Sequence, residues 1–167
     1  MNRALPALLL LAACSREGTT PAPNATPATG LEAAAIAAGV IPDPASADIT
    51  GLYARETDRV CIVPAAKNYR IGVFVDYGDN LNCAGSGTVT RDGETLSIDI
   101  PAAPGCSFRA RFEGDRIVFP AQVPEACAGV CQRRASIAAL DVERLSESAS
   151  EASTLRDTKG RLLCGGD

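Results

Sequence analysis

Downstream of Ile49 the apolar residues recur at every second position. Tyr69, Ile71, Val73, Val75 and Tyr77 alternate with Arg70, Gly72, Phe74 and Asp76. Leu96, Ile98 and Ile100 alternate with Ser97 and Asp99, and Cys106, Phe108, Ala110 and Phe112 alternate with Ser107, Arg109, Arg111 and Glu113. A period of two places successive side chains on opposite faces, the signature of half-buried strands. Asp92-Gly93 and Gly114-Asp115 lie between such runs as tight hairpin signals. Strands are therefore predicted near 49–56, 59–64, 69–77, 84–91, 94–100, 106–113 and 116–120, in an antiparallel meander. Short strands of even spacing predict a small barrel or a strongly curved sheet. At that size Ile71, Val73, Leu96, Ile98 and Phe108 are expected to fill the interior themselves.

Around this centre the periodicity changes. Residues 15–30, SREGTTPAPNATPATG, contain no large apolar side chain and read as an extended tether. Thr29-Gly30-Leu31-Glu32 has capping-box spacing, which predicts a short helix to Ala38, closed by Gly39 and Pro42 and lying against the body. Residues 125–134 suit a helical turn. SIAALDVERL, 136–145, fits strand or helix, with strand preferred. Residues 148–159 read as helix and 161–164 as a last short strand. The fold class is mainly β: a small disulfide-braced antiparallel meander or barrel with short flanking helices, in one domain spanning 31–167.

Composition narrows the chemistry. All seven aromatic residues lie between Tyr53 and Phe119, so the packed centre is expected there. The chain has no histidine, which excludes Ser-His-Asp and Cys-His catalysis and imidazole-ligated zinc. No paired carboxylates suggest glycosidase chemistry, and no metal or cofactor is expected. A net charge of −4 without a basic cluster argues against a nucleic-acid partner.

The N-terminus supplies an address. Arg3 precedes an apolar stretch, Ala4 to Ala13, too short to span a bilayer and of secretory-signal form. Leu11-Ala12-Ala13-Cys14 resembles the lipobox of bacterial lipoproteins. The resemblance implies cleavage after residue 13, diacylglyceryl attachment to Cys14 and acylation of the new amine. Ser15 in place of aspartate implies transfer to the outer membrane, facing the periplasm. Two or more acyl chains suffice for stable anchoring where one does not. In that oxidising space the remaining cysteines, Cys61, Cys83, Cys106, Cys127, Cys131 and Cys164, form an even set and are expected to pair as disulfides, with the pairing open.

Candidate binding features are few. Asp76-Tyr77-Gly78-Asp79-Asn80-Leu81-Asn82 is oxygen-rich, but Gly78 stands where an EF-hand loop needs a ligand, so a turn is the preferred reading. Glu56 and Asp58 flank a predicted hairpin and are expected to be solvated. Arg109 and Arg111 share an outward strand face, with Arg70 outward on another strand, and form a candidate patch for an acidic partner. Cys83-Ala84-Gly85-Ser86-Gly87-Thr88 reads as the most loop-like part of the strand region, with a bulge or barrel corner as its structural explanation. It resembles the Ser/Gly loop of membrane-bound C-type lysozyme inhibitors. Thr88 and Val89 follow where that family has a basic and then an aromatic residue, so Ser86 alone carries over. The functional expectation is a lipid-anchored, non-catalytic binding or structural module whose partner is the membrane and an envelope protein. Lysozyme inhibition and apolar-ligand binding are the alternatives.

Overall fold

In the computed structural model, which describes residues 30–165 apart from Pro42 and Ala45, the alternating segments close into an antiparallel barrel. Its strands are β1 (Gly51–Arg55), β2 (Asp58–Pro64), β3 (Tyr69–Asp76), β4 (Asn82–Asp92), β5 (Thr95–Asp99), β6 (Ser107–Phe112), β7 (Arg116–Val118) and β8 (Asp141–Ser146). Each pairs with the next, and β8 returns to β1 through Tyr53↔Arg144 and Ala54↔Glu143. Closure leaves the sheet as a whole without a free edge. At the short β7 the seam is reinforced from outside. Asp141 accepts from Arg55 of β1 and from Arg116 Nε of β7, each at 2.6 Å. The Arg116 hydrogen bond holds the Asp141 carboxyl below its usual range, with Arg55 helping against the effect of burial.

The register puts the predicted apolar phase inside. Tyr53, Val60 and Val73 follow one another across β1–β3, and Val89↔Ile98, Leu96↔Ala110, Phe112↔Ile117 and Ile117↔Val142 continue round the wall. Ile71, Val73, Leu96 and Ile98 are at most 2% exposed and share one cluster with Tyr53 and Phe112, so side chains fill the interior. Phe108 packs at the margin, 5.1 Å from Phe119. Tyr77 departs from the predicted phase: β3 ends at Asp76 and the ring is exposed. The eighth strand begins at Asp141, not Ser136. Ser136 Oγ accepts from Ala138 N and Ala139 is left-handed, so residues 136–140 turn before the chain extends.

The barrel has two ends. The mouth carries the 65–68, 93–94 and 113–115 turns and the start of β1. The base carries the 56–57 and 77–81 turns and the long connections 100–106 and 119–140. A 3₁₀ helix, Glu125–Val130, packs Cys127 into the base.

A second core lies outside the wall. Val60-Cys61-Ile62-Val63 is buried on both faces because the chain after β8 returns over β1–β4. There Ala152, Leu163 and Cys164 cover Cys61 and Val63, with Leu52, Phe74, Ala84 and Leu155 at the margin. Helix α2 is only Ala149–Ala152, capped by Ser148, which accepts from Glu151 N. The helix predicted to 159 stops there: the Ser153 and Thr154 hydroxyls donate back to the Ser150 and Glu151 carbonyls, and further on Asp157 organises a separate turn. Its buried carboxylate accepts from Lys159 N (2.8 Å), Arg161 N (2.9 Å) and Arg161 Nε (2.7 Å). Burial raises the Asp157 pKa, but these donors outweigh it and hold it below the usual range. The predicted last strand is reduced to one bridge, Arg156↔Leu162.

The three disulfides are nested: Cys61–Cys164, Cys83–Cys131 and Cys106–Cys127. The first ties the returning segment to β2, and the other two fix the 3₁₀ connection to the base. Upstream, helix α1 is Leu31–Ala37 with Gly30 at its N-cap and no side-chain cap bond, and Thr29 lies outside the described residues. It buries none of its residues, contrary to the expectation that it lies against the body. Cys14, the signal and the tether also lie outside the described residues.

Candidate functional site

The most unusual side chains inside the wall are two arginines. Arg91 at the end of β4 pairs with Leu96, and Arg144 near the end of β8 pairs with Tyr53, so both continue the inward phase at the mouth. Cations there need compensation, and rings and carbonyls supply it. Arg91 and Arg144 lie 5.1 and 5.6 Å from the Phe112 centroid, and Arg144 lies 5.3 Å from that of Tyr53. Arg91 donates to the carbonyls of Pro44 and Ala47. Arg144 donates to those of Asp48 and Gly114 and meets the Glu147 carboxylate at 3.3 Å. Tyr53 Oη donates to Ile49 O at 2.9 Å. Together these bonds draw Pro44 and residues 47–50 across the mouth as a plug. Pattern reading stopped at the apolar residues and missed both arginines. The signal was present, because Val89-x-Arg91 and Val142-x-Arg144 keep the inward phase.

The plug has a measurable consequence. Burial pushes the Tyr53 phenol from 10.0 up to about 12, although Arg144 pulls it down. Between those values the unfolded chain ionises while the folded one does not. Stability is therefore complete below pH 10 and falls as pH rises towards 12, by about 2–3 kcal/mol in total. Alkaline unfolding followed by tyrosinate absorbance should show this loss, and Tyr53→Phe should remove that component of it.

At the opposite end, the 3₁₀ helix and residues 135–138 enclose a cleft of about 350 Å³. Val123, Pro124, Ala128, Ala135, Ile137 and Ala138 contribute apolar walls. Tyr77 Oη, donating to Ser136 O at 3.1 Å, braces its rim. Gln122, Glu125 and Ser136 are the polar side chains of its lining, which holds no lysine or arginine.

The sequence candidates scatter over the surface. Ser86 is in the middle of β4, opposite Gly72, and not on a loop. It is half-buried beside Arg161, Leu162 and Leu163 in a shallow cleft of about 170 Å³. The flanking glycines face inward under the β5–β6 connection, where the Gly87 position nearly touches the Asp99 carbonyl. Arg109 and Arg111 are exposed on the outer face of β6, opposite Ser97 and Thr95. Arg111 pairs with Glu113 at 2.5 Å. Arg70, on the outside of β3, donates to Cys164 O and so belongs to the covered half of the wall. Ser86 and the β6 arginines are not brought together.

The 76–82 segment is a turn. Asp76 Oδ1 accepts from Gly78 N at 2.9 Å, Tyr77 N donates to Leu81 O, and Gly78, Asp79 and Asn80 all have positive φ. Among the described residues, no group of three or more cysteine, aspartate or glutamate side chains is arranged to hold a metal. Glu56 is exposed in the β1–β2 loop, as expected. Asp58 is half-buried and accepts from Asp76 N at 3.2 Å. Burial raises its pKa, and that hydrogen bond opposes the rise. No protein-family model, curated protein or solved structure matches the chain.

Proposed function

We propose that the protein is a lipoprotein of a bacterial cell envelope, anchored through Cys14 to the outer membrane and facing the periplasm, whose barrel serves as a non-catalytic binding or structural module. The observation that carries this reading is the use of the cysteines. Six pair with one another in three nested bridges, which leaves Cys14, at the end of the lipobox-like Leu11-Ala12-Ala13, with no thiol partner in its own chain. Bridges of this kind persist in oxidising compartments, in keeping with export. The side chains that fill the barrel leave recognition to its outer surfaces, among them the apolar base cleft and the exposed face bearing Arg109 and Arg111.

Metabolic labelling with an alkynyl fatty acid tests the anchor. The wild-type chain is expected to take up label and to yield an intact mass of lipidated protein beginning at Cys14. Cys14→Ser is expected to lose both the label and membrane attachment. An unmodified thiol at residue 14 in envelope-derived protein would overturn the reading.

A further inference from the structure

Among the described residues, three of the six exposed large apolar side chains fall in one short stretch, while Tyr77, Leu145 and Leu162 are exposed singly elsewhere. Leu31, Val40 and Ile41 are 88%, 75% and 38% exposed, and they bracket α1, which buries nothing. Glu32 is the one charged residue from Leu31 to Ile41. A run of this kind in water marks a surface that another apolar phase covers.

What covers it follows from the two ends of the run. On its C-terminal side the chain is fixed almost at once: Arg91 holds the Pro44 and Ala47 carbonyls, and Ile49 and Thr50 are buried. The run therefore leaves the body at the barrel mouth. On its N-terminal side, residues 15–30 lead to Cys14 and span at most about 55 Å even when fully extended. With a lipid on Cys14, the run cannot leave the neighbourhood of a bilayer. Tethering also raises its effective concentration there, so that a modest apolar affinity is enough.

We propose that residues 31–41 lie in the interfacial layer of the phospholipid bilayer, and that the barrel stands with its plugged mouth towards the membrane and its base cleft away from it. This inference rests on the Cys14 anchor proposed above. The mouth turns carry exposed Asp92, Glu94 and Asp115 against one exposed cation, Lys67, so attraction to the bilayer is apolar rather than Coulombic.

The chain contains no tryptophan, which makes single-tryptophan probes clean. Full-length lipidated Leu31→Trp, Val40→Trp and, on the exposed 100–106 connection of the base, Pro104→Trp are reconstituted on phosphatidylcholine vesicles with brominated acyl chains. Emission from positions 31 and 40 is expected to shift to the blue and be quenched, while position 104 stays water-like and unquenched. Val40→Ser/Ile41→Ser in the Leu31→Trp chain should abolish quenching while flotation with the vesicles persists. Anionic lipid should lower the quenching, and a rise would point to electrostatic adsorption and overturn the proposal. Water-like emission from 31 and 40 in chains that float overturns it and leaves the anchor standing. A blue shift that appears without lipid and grows with protein concentration assigns the run to a second copy and also overturns it. A chain whose mass shows no lipid at residue 14 overturns the anchor reading and this inference together.

Discussion

Replacing Cys61 and Cys164 together by alanine is expected to lower folding stability by about 4 kcal/mol and to release the chain after β8 from the barrel wall. The bridge joins residues 103 apart in sequence. Cys83–Cys131 already shortens the ring it closes, and the chain-entropy relation for the remaining path gives about 4 kcal/mol. The segment has little else to hold it. Ala152, Leu163 and Cys164 form the buried centre of its contact, α2 is one turn long, and the Asp157 network is internal to the segment. The cost should therefore be local. Urea unfolding should show the lower midpoint, and hydrogen exchange should show residues 149–165 opening first while the inner cluster around Tyr53 and Phe112 stays protected. Cys106–Cys127 closes a much shorter loop, and its removal should cost about 3 kcal/mol and loosen the base. Equal losses from the two pairs, or uniform exchange in the Cys61/Cys164 variant, would refute the assignment of this bridge to the returning segment.

The period-two pattern made the wall legible because each strand has one buried face and one exposed face over most of the circumference. Leu96, Ile98, Phe112 and their neighbours lie on the inner face the sequence assigns them. Legibility failed where a third layer intervenes. Val60 to Val63 lacks alternation because the returning segment buries its outer face, and nothing local to residues 148–164 announces that docking. Ser148 to Lys159 has helix-compatible composition, but Ser153 and Thr154 bond back to the carbonyls of α2 at its end, and Asp157 then binds its own downstream backbone in a turn. Arg91 and Arg144 followed the inward phase, yet charged residues are ordinarily assigned to solvent. Only the facing carbonyls of Pro44, Ala47 and Asp48 and the Phe112 ring explain them. The candidate site was less legible still. Ser86 and the β6 arginines stand out in the sequence by residue type alone, whereas the base cleft is built largely from small apolar residues brought together by two bridges.

The glycines beside Ser86 decide how that stretch should be understood. Gly87→Ala is expected to destabilise the protein by about 3 kcal/mol or more, at the upper end of overpacking costs. β4 pairs with β3 along 82–89, but its pairing with β5 starts only at Thr88↔Asp99. At that point the chain after β5 leaves the ladder and passes inward beneath β4. A methyl at Gly87 would stand 2.0 Å from the Asp99 carbonyl oxygen and 3.1 Å from Ile100 Cα. Both are backbone atoms and cannot rotate away. The connection is itself braced by Ile100 N donating to Cys106 O at 3.0 Å and by the Cys106–Cys127 bridge. Gly85→Ala meets only the side chains of Ile100 and Val130, at 3.2 Å or more, and should cost about 1 kcal/mol. Gly93→Ala enters open space but keeps a left-handed backbone, φ 58°, for about 1–2 kcal/mol. Urea midpoints should therefore place Gly87 well below the other two. A Gly87→Ala variant as stable as Gly93→Ala would mean that the crossing is looser than described and that the stretch around Ser86 is free to project. The predicted order means instead that these glycines exist to let one strand pass under another, which pins Ser86 to the wall.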